Sequence, residues 1–191
     1  LADSTVQRST DSYSNTYSVR LETRQIYSGD TIFGYLMNGD PETFEGGHPL
    51  TNISHIDSIT GYFKYDIPAG DTALLICIPK YNGAPTGGGT VKLTGTQTSW
   101  TRFAYPIGAA ICDSVVLAAA SSNAFLWQGA PGAFIMLDNI QFVANGNTTE
   151  PAINGDFENW TNMGWSEPDE WTTSNAWALS APILPVEETT D

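Results

Sequence analysis

The residues in this sequence able to do chemistry are mostly carboxylates and aromatic rings. Twenty-one Asp and Glu face seven Lys and Arg, and six Trp, eight Tyr and eight Phe are spread over 191 residues. Two carboxylates held across a cleft can run acid–base chemistry, but no motif here fixes such a pair. His48 and His55 lie near each other in a stretch that reads as a loop, and the sequence expects both at the surface. No H-E-x-x-H and no G-x-S-x-G occurs. Gly87-Gly-Gly89 lacks the Lys and the following helix of a phosphate loop. The aromatic rings are more suggestive. Tyr81 with Asn82, Trp127 in a Gly/Ala/Asn loop, and Trp165 are placed to offer flat platforms beside hydrogen-bonding groups. Trp100, Tyr62, Tyr65, Trp160 and Trp171 sit on strand-like patterns or motif positions and are expected in the core.

The elements that must position these residues are strands. The segments 17–23, 60–66, 71–78, 90–94, 100–105, 114–120 and 133–142 are rich in β-branched and aromatic residues, several with period-two alternation. Turn clusters separate them: Asn38-Gly-Asp-Pro41, Asn82-Gly-Ala-Pro85, Gly87-Gly-Gly89 and Gly129-Ala-Pro-Gly132. No stretch sustains a helical period. The fold class read from this spacing is all-β, an antiparallel β-sandwich.

Composition narrows the function classes. A net charge of −14 with no basic cluster excludes a nucleic-acid footprint and disfavours an anionic membrane surface. No 18-residue apolar run exists, so no helix would span a bilayer. The charged fraction is only 15%, leaving Ser, Thr, Asn and Gly to make the polar surface. Cys77 and Cys112 read as two buried thiols, with a disulfide as the alternative. The chain opens at Leu1 without Met or a leader pattern and reads as an excised stretch. Val6-Gln-Arg-Ser-Thr-Asp11 echoes Val186-Glu-Glu-Thr-Thr-Asp191, as two ends of a window cut from a tandem array would.

Three stretches carry a family resemblance. Asn154-Gly-Asp-Phe-Glu-Asn-Trp160 resembles the opening strand of galactose-binding-like jelly rolls and related carbohydrate-binding modules. Glu167-Pro-Asp-Glu-Trp171 resembles the step after it, and Ala133-Phe-Ile-Met-Leu-Asp-Asn-Ile-Gln-Phe142 resembles their closing strand. The series Arg8-Ser-Thr-Asp-Ser-Tyr-Ser14, Gly61-Tyr-Phe-Lys-Tyr65, Trp100-Thr-Arg-Phe103 and Cys112-Asp-Ser-Val-Val116 is similar to the carbohydrate metabolism domain of Bacteroidota surface proteins. The order is rotated, since the opening-strand motif here follows the closing one. Residues 1–144 are therefore expected to form a jelly roll lacking its usual first strand, and 145–152 a linker. Residues 153–191 would be either a self-completing strand or the opening segment of the next repeat, donated to a neighbouring copy.

The resemblance implies a non-catalytic extracellular or cell-surface module that binds glycans or adheres, with a structural repeat unit of an adhesin or filament as the alternative. A glycan-active enzyme is the third reading. Sugar contacts would fall on Trp127, Tyr81, Asn82 and Trp165. The resemblance also implies a structural Ca²⁺ between Asp138 and Glu158. Ser4, Thr31, Ser58, Thr72 and Ser114 each follow an Asp and precede Thr, Ala, Ile or Val, a pattern resembling the Bacteroidota O-glycan acceptor.

Overall fold

Alternation of side chains along each strand settles which residues face inward. The computed structural model describes residues 4–25, 31–43, 45–126, 129–162 and 166–175. In chain order the strands are β1 (Val6–Ser9), β2 (Ser18–Glu22), β3 (Arg24–Gln25), β4 (Thr31–Ile32), β5 (Tyr35–Met37), β6 (His48–Pro49), β7 (His55–Ile67), β8 (Ala73–Tyr81) and β9 (Ala84–Pro85). They continue with β10 (Gly89–Leu93), β11 (Gly95–Ile111), β12 (Ser114–Ala120), β13 (Phe134–Ala144), β14 (Thr148–Pro151), β15 (Trp160–Asn162), β16 (Ser166–Pro168) and β17 (Thr172–Thr173). All seven expected strand segments fall on strands: β2, β7, β8, β10, β11, β12 and β13.

Two antiparallel sheets make the sandwich. The first runs β1-β2-β13-β7-β11, with β14 on β13, and the second β10-β8-β12-β5-β17, with β6 on β12 and β9 on β8. Between them lie Leu21, Phe63, Phe103, Ile135 and Leu137 from the first sheet and Leu36, Leu75, Cys77, Val115 and Leu117 from the second. Each large apolar side chain buried this way contributes roughly 1.5–3 kcal/mol relative to exposure. Gly61 is required by this packing. A Cβ there would meet the Phe103 ring at 2.8 Å. Cys77 and Cys112 are both buried and both free thiols. Burial pushes the Cys77 thiol up to about 12, so it stays protonated at neutral pH.

Residues 153–175 that are described pack on their own chain. A bulge in β13 between Asp138 and Gln141, with Asn139 at φ 51°, frees Ile140 from the β7 ladder. The Ile140 N–H then donates to Gly155 O at 2.9 Å, and Ala152 N–H donates to Ile140 O at 3.0 Å. Phe157 is fully buried and Trp171 nearly so, their rings 5.6 Å apart. β17 adds itself to the edge of β5 in the second sheet. Beyond it, the Asn175 side chain accepts from Val6 N at 3.2 Å and donates to Val6 O at 2.9 Å, tying this segment to β1.

Candidate functional site

The solvent face of the first sheet gathers aromatic and charged side chains in rows. Cross-strand register places Asp138, Tyr62 and Arg102 in one row and Arg20, Met136 and Lys64 in the next. Alternation along β11 puts Trp100 on the same face as Arg102, and its indole bonds prove the placement. Nε1 donates to Asp11 at 2.9 Å, and the Lys64 ammonium lies 5.3 Å from the ring centre. Lys64 also pairs with both Asp11 oxygens at 2.8 and 2.7 Å. The Lys64 bond, opposed by partial burial and helped by the Trp100 bond, holds Asp11 below its ordinary range. Arg20 bonds Glu22 at 2.9 Å and lies 3.8 Å over the Phe134 ring.

Residues 10–17 lie across this face as a clamped loop. Tyr13 stacks on Tyr62 with ring centres 3.3 Å apart and planes within 11°, yet stays 45% exposed. Two carboxylates fix the loop backbone. Asp138, fully buried, accepts Tyr13 N–H at 2.8 Å and Ser14 N–H at 2.9 Å on one oxygen. Glu158 accepts Thr16 N–H at 2.9 Å and Tyr17 N–H at 2.7 Å. Burial raises the Asp138 carboxyl above its ordinary value even against the Ser14 and Tyr13 amides. The result is an exposed ring on a stacked support, preorganised by backbone bonds, with charged donors and acceptors beside it. Such a surface can stack on the apolar face of a sugar ring and hydrogen-bond its edge.

The pairing of Asp138 with Glu158 is thus through one loop. Calcium takes six to eight oxygen ligands. Among the described residues no group of three or more His, Cys, Asp or Glu side chains gathers where a metal could be held. One oxygen of each, Asp138 Oδ2 and Glu158 Oε1, meets N–H donors of the loop.

The other expected site residues are scattered. Tyr81 is 48% exposed at the end of β8 in the second sheet, whereas the Tyr13 loop lies over the first. Asn82 follows in a left-handed turn at φ 51°, its N–H on the Asp113 carboxylate at 2.7 Å. Trp127 and Trp165 lie outside the described residues; exposed Phe125 and Leu126 lead up to the first. Ser4, Thr31, Ser58, Thr72 and Ser114 are all half-buried. The carboxylates of Asp71 and Asp113 bond the very residues that follow, Thr72 N–H at 2.6 Å and Ser114 Oγ at 2.9 Å.

Two groups differ from their sequence reading. Tyr62 and Trp100 face solvent, while Tyr65, Trp160 and Trp171 pack on the core. The signal was available: Tyr62, Lys64 and Asp66 alternate against Phe63, Tyr65 and Ile67. His48 is buried rather than superficial, because β6 docks on β12. Its Nδ1 accepts Ile153 N–H at 3.0 Å and its Nε2 stands 3.8 Å from Glu150. Glu150 in turn accepts the N–H groups of Thr51, Asn52 and Ile53 at 2.7, 2.9 and 3.1 Å. Tyr13 lies inside the Arg8–Ser14 motif but was not singled out there, being one Tyr among Ser and Thr residues.

A shallow depression of about 630 Å³ lies between the turns 66–72 and 94–96. Its carboxylates are engaged, Asp66 by Thr96 Oγ1 at 2.6 Å and Asp71 by Ser122 Oγ at 2.6 Å and Ala130 N–H at 2.8 Å. No aromatic ring lines it.

Sheet order and packing define the chain as an all-β, antiparallel jelly-roll sandwich. No protein-family model matches it, and no curated protein matches it in sequence. Among solved structures it is similar to a candidate glycoside hydrolase of Bacteroides thetaiotaomicron, at TM-score 0.56 and 15% identity over 75% of this chain. The match spans 58% of that protein. A second candidate glycoside hydrolase, from Bacteroides vulgatus, matches at TM-score 0.50 and 15% identity over 74% of this chain and 78% of its own. A family 16 carbohydrate-binding module aligns at TM-score 0.43 and 15% identity, over 74% of this chain and 87% of that one, too distant to argue from. At such identity the likeness is one of fold.

Proposed function

We propose that this chain is a non-catalytic carbohydrate-binding module of an extracellular or cell-surface protein, and that its sugar seat is the solvent face of the first sheet. The observation that carries the reading is Tyr13, an exposed ring stacked on Tyr62 and locked by the Asp138 and Glu158 carboxylates. Rings that are rigid before binding lose little entropy when a ligand stacks on them. Binding rather than catalysis is favoured because the carboxylates of this face are committed: Asp11 to Lys64 and Trp100, Asp138 to the loop amides. The likeness of fold to candidate glycoside hydrolases adds a carbohydrate context. Donation of β17 to another copy is not part of the proposal, because β17 occupies the edge of β5 in its own chain; residues 176–191 lie outside the described residues.

Affinity electrophoresis against a panel of soluble polysaccharides tests the reading. At least one should retard the wild-type chain, and Tyr13→Ala should abolish the retardation while leaving the fold intact by circular dichroism. Equal retardation of wild type and Tyr13→Ala would remove this face from the account.

A further inference from the structure

We infer that the glycan taken by this face is acidic, with a carboxylate on the sugar ring held by Arg102. This rests on the seat proposed above. Cations are scarce in this chain. The chain has seven cationic side chains against 21 acidic ones. In such a protein a cation normally finds a carboxylate. Arg20 and Arg24 share Glu22, Lys64 holds Asp11, and Arg8 lies 4.5 Å over the Tyr17 ring. Lys80 is buried. Arg102 and Lys92 are exposed and make no hydrogen bond, ion pair or ring contact among the described residues, and of the two only Arg102 lies on the first sheet.

Its position is the second point. Arg102 stands directly across from Tyr62, the ring that supports Tyr13, and two residues from Trp100 on the same face. Directly opposed side chains have Cβ atoms roughly 4.5–5.5 Å apart. A guanidinium on that stem reaches the rim of a sugar stacked on Tyr13. Asp138, at the other end of the row, is buried beneath the loop and does not compete. Asp66, the nearest acid along β7, is four residues away, roughly 13 Å at the strand rise, and is bonded by Thr96.

Chemistry supplies the third point. A planar guanidinium with all donors free matches a carboxylate bidentately, whereas neutral hydroxyls use it poorly. The overall negative charge repels a polyanion only over about a Debye length, roughly 8 Å at physiological salt, so contact recognition by one arginine survives it.

The test is isothermal titration of polygalacturonate, alginate and a glucuronate polymer, each beside its carboxyl-reduced counterpart. Arg102→Gln and Lys92→Gln are the variants, Lys92 being an exposed cation on the other sheet that likewise has no partner among the described residues. At least one uronate polymer should bind roughly tenfold tighter than its reduced form, the worth of one charge-assisted contact. Arg102→Gln should erase that difference; Lys92→Gln should keep it. Equal affinity for acidic and reduced polymers, with Arg102→Gln silent, overturns the acidic-glycan inference and leaves the sugar seat standing. A uronate preference that survives Arg102→Gln overturns it too. No binding by any polymer, acidic or neutral, overturns the inference and the seat together.

Discussion

Replacing Asp138 separates two roles a buried carboxylate can play. Its side chain is fully buried and one oxygen accepts two N–H bonds, from Tyr13 and Ser14, at 2.8 and 2.9 Å. Burial raises its carboxyl, so the folded chain tolerates the charge rather than gaining from it. The acceptor geometry is what holds the loop. Asp138→Asn keeps an acceptor oxygen of the same reach and removes the desolvated charge. Its expected cost is within about 1 kcal/mol, two neutral bonds replacing two charge-assisted ones against the relief of burial. Asp138→Ala removes both acceptors and leaves a small void, at an expected cost of roughly 2–4 kcal/mol. For a chain of this length a kcal/mol shifts the melting temperature by roughly 2–4 °C. Thermal denaturation by circular dichroism should thus show Asn within about 4 °C of wild type and Ala lower by about 4–16 °C. Ala should also weaken any glycan that Tyr13 binds, since the loop loses its anchor. A loss in Asn as deep as in Ala would refute the reasoning, because the charge itself would then be essential, as for a metal ligand. A loss below about 2 °C in Ala would refute it from the other side.

The remaining expectations address the rest of the molecule. Addition of millimolar Ca²⁺, or of EDTA, should move the melting temperature by less than about 1 °C, since carboxylates already satisfied by N–H donors gain little from a cation; a rise of several degrees with Ca²⁺ would show a cage. Burial, against the nearby Glu150, lowers the His48 pKa, so the neutral imidazole contributes stability that is complete above 6.5 and lost as pH falls through the lowered value. Urea melts at pH 7 and pH 5 should therefore show a loss that is smaller in His48→Asn; an equal loss in both would acquit the imidazole. Burial would raise Glu150, but the Thr51, Asn52 and Ile53 amides and the Thr51 hydroxyl outweigh it and lower its pKa, so its contribution fades only below 4.5. Phe157→Ala should cost about 3–5 kcal/mol, because the ring is fully buried in the shared core; a change under about 1 kcal/mol would mean that residues 153–175 do not stabilise the sandwich.

Much of the sandwich was legible in the sequence, because long interior strands such as β7, β8 and β13 carry strong periodic or continuous apolar signals. The short strands β5, β6 and β17 were not, since two or three residues hold no period and their pairing partners lie far along the chain. The motif at residues 154–160 resembled an opening strand, but residues 154–159 form turns and irregular backbone, β15 starts only at Trp160, and the segment is held by the buried Phe157. Where that segment packs depended on the β13 bulge, which no local pattern announces. The site was less legible. Asp138 and Glu158 were singled out as a calcium pair, whereas in the structure each accepts two N–H bonds from the loop of residues 10–17. Tyr62 and Trp100 were assigned to the interior because aromatic residues on strands usually are; the polar partners two residues along, Lys64 and Arg102, mark the outer face. Tyr13 gains its position from its backbone N–H on Asp138 and its stacking on Tyr62, and neither leaves a trace in the residue types of its own loop.

The most direct test of the central claim is a map of amide chemical-shift changes in the ¹⁵N-labelled chain during titration with the best-retained oligosaccharide. The sugar seat described here predicts changes concentrated in residues 11–17, 62–64 and 100–102, with Tyr81 and Asn82 silent. Changes confined to the turn around Tyr81 and Asn82, or none anywhere at saturating sugar, would contradict it.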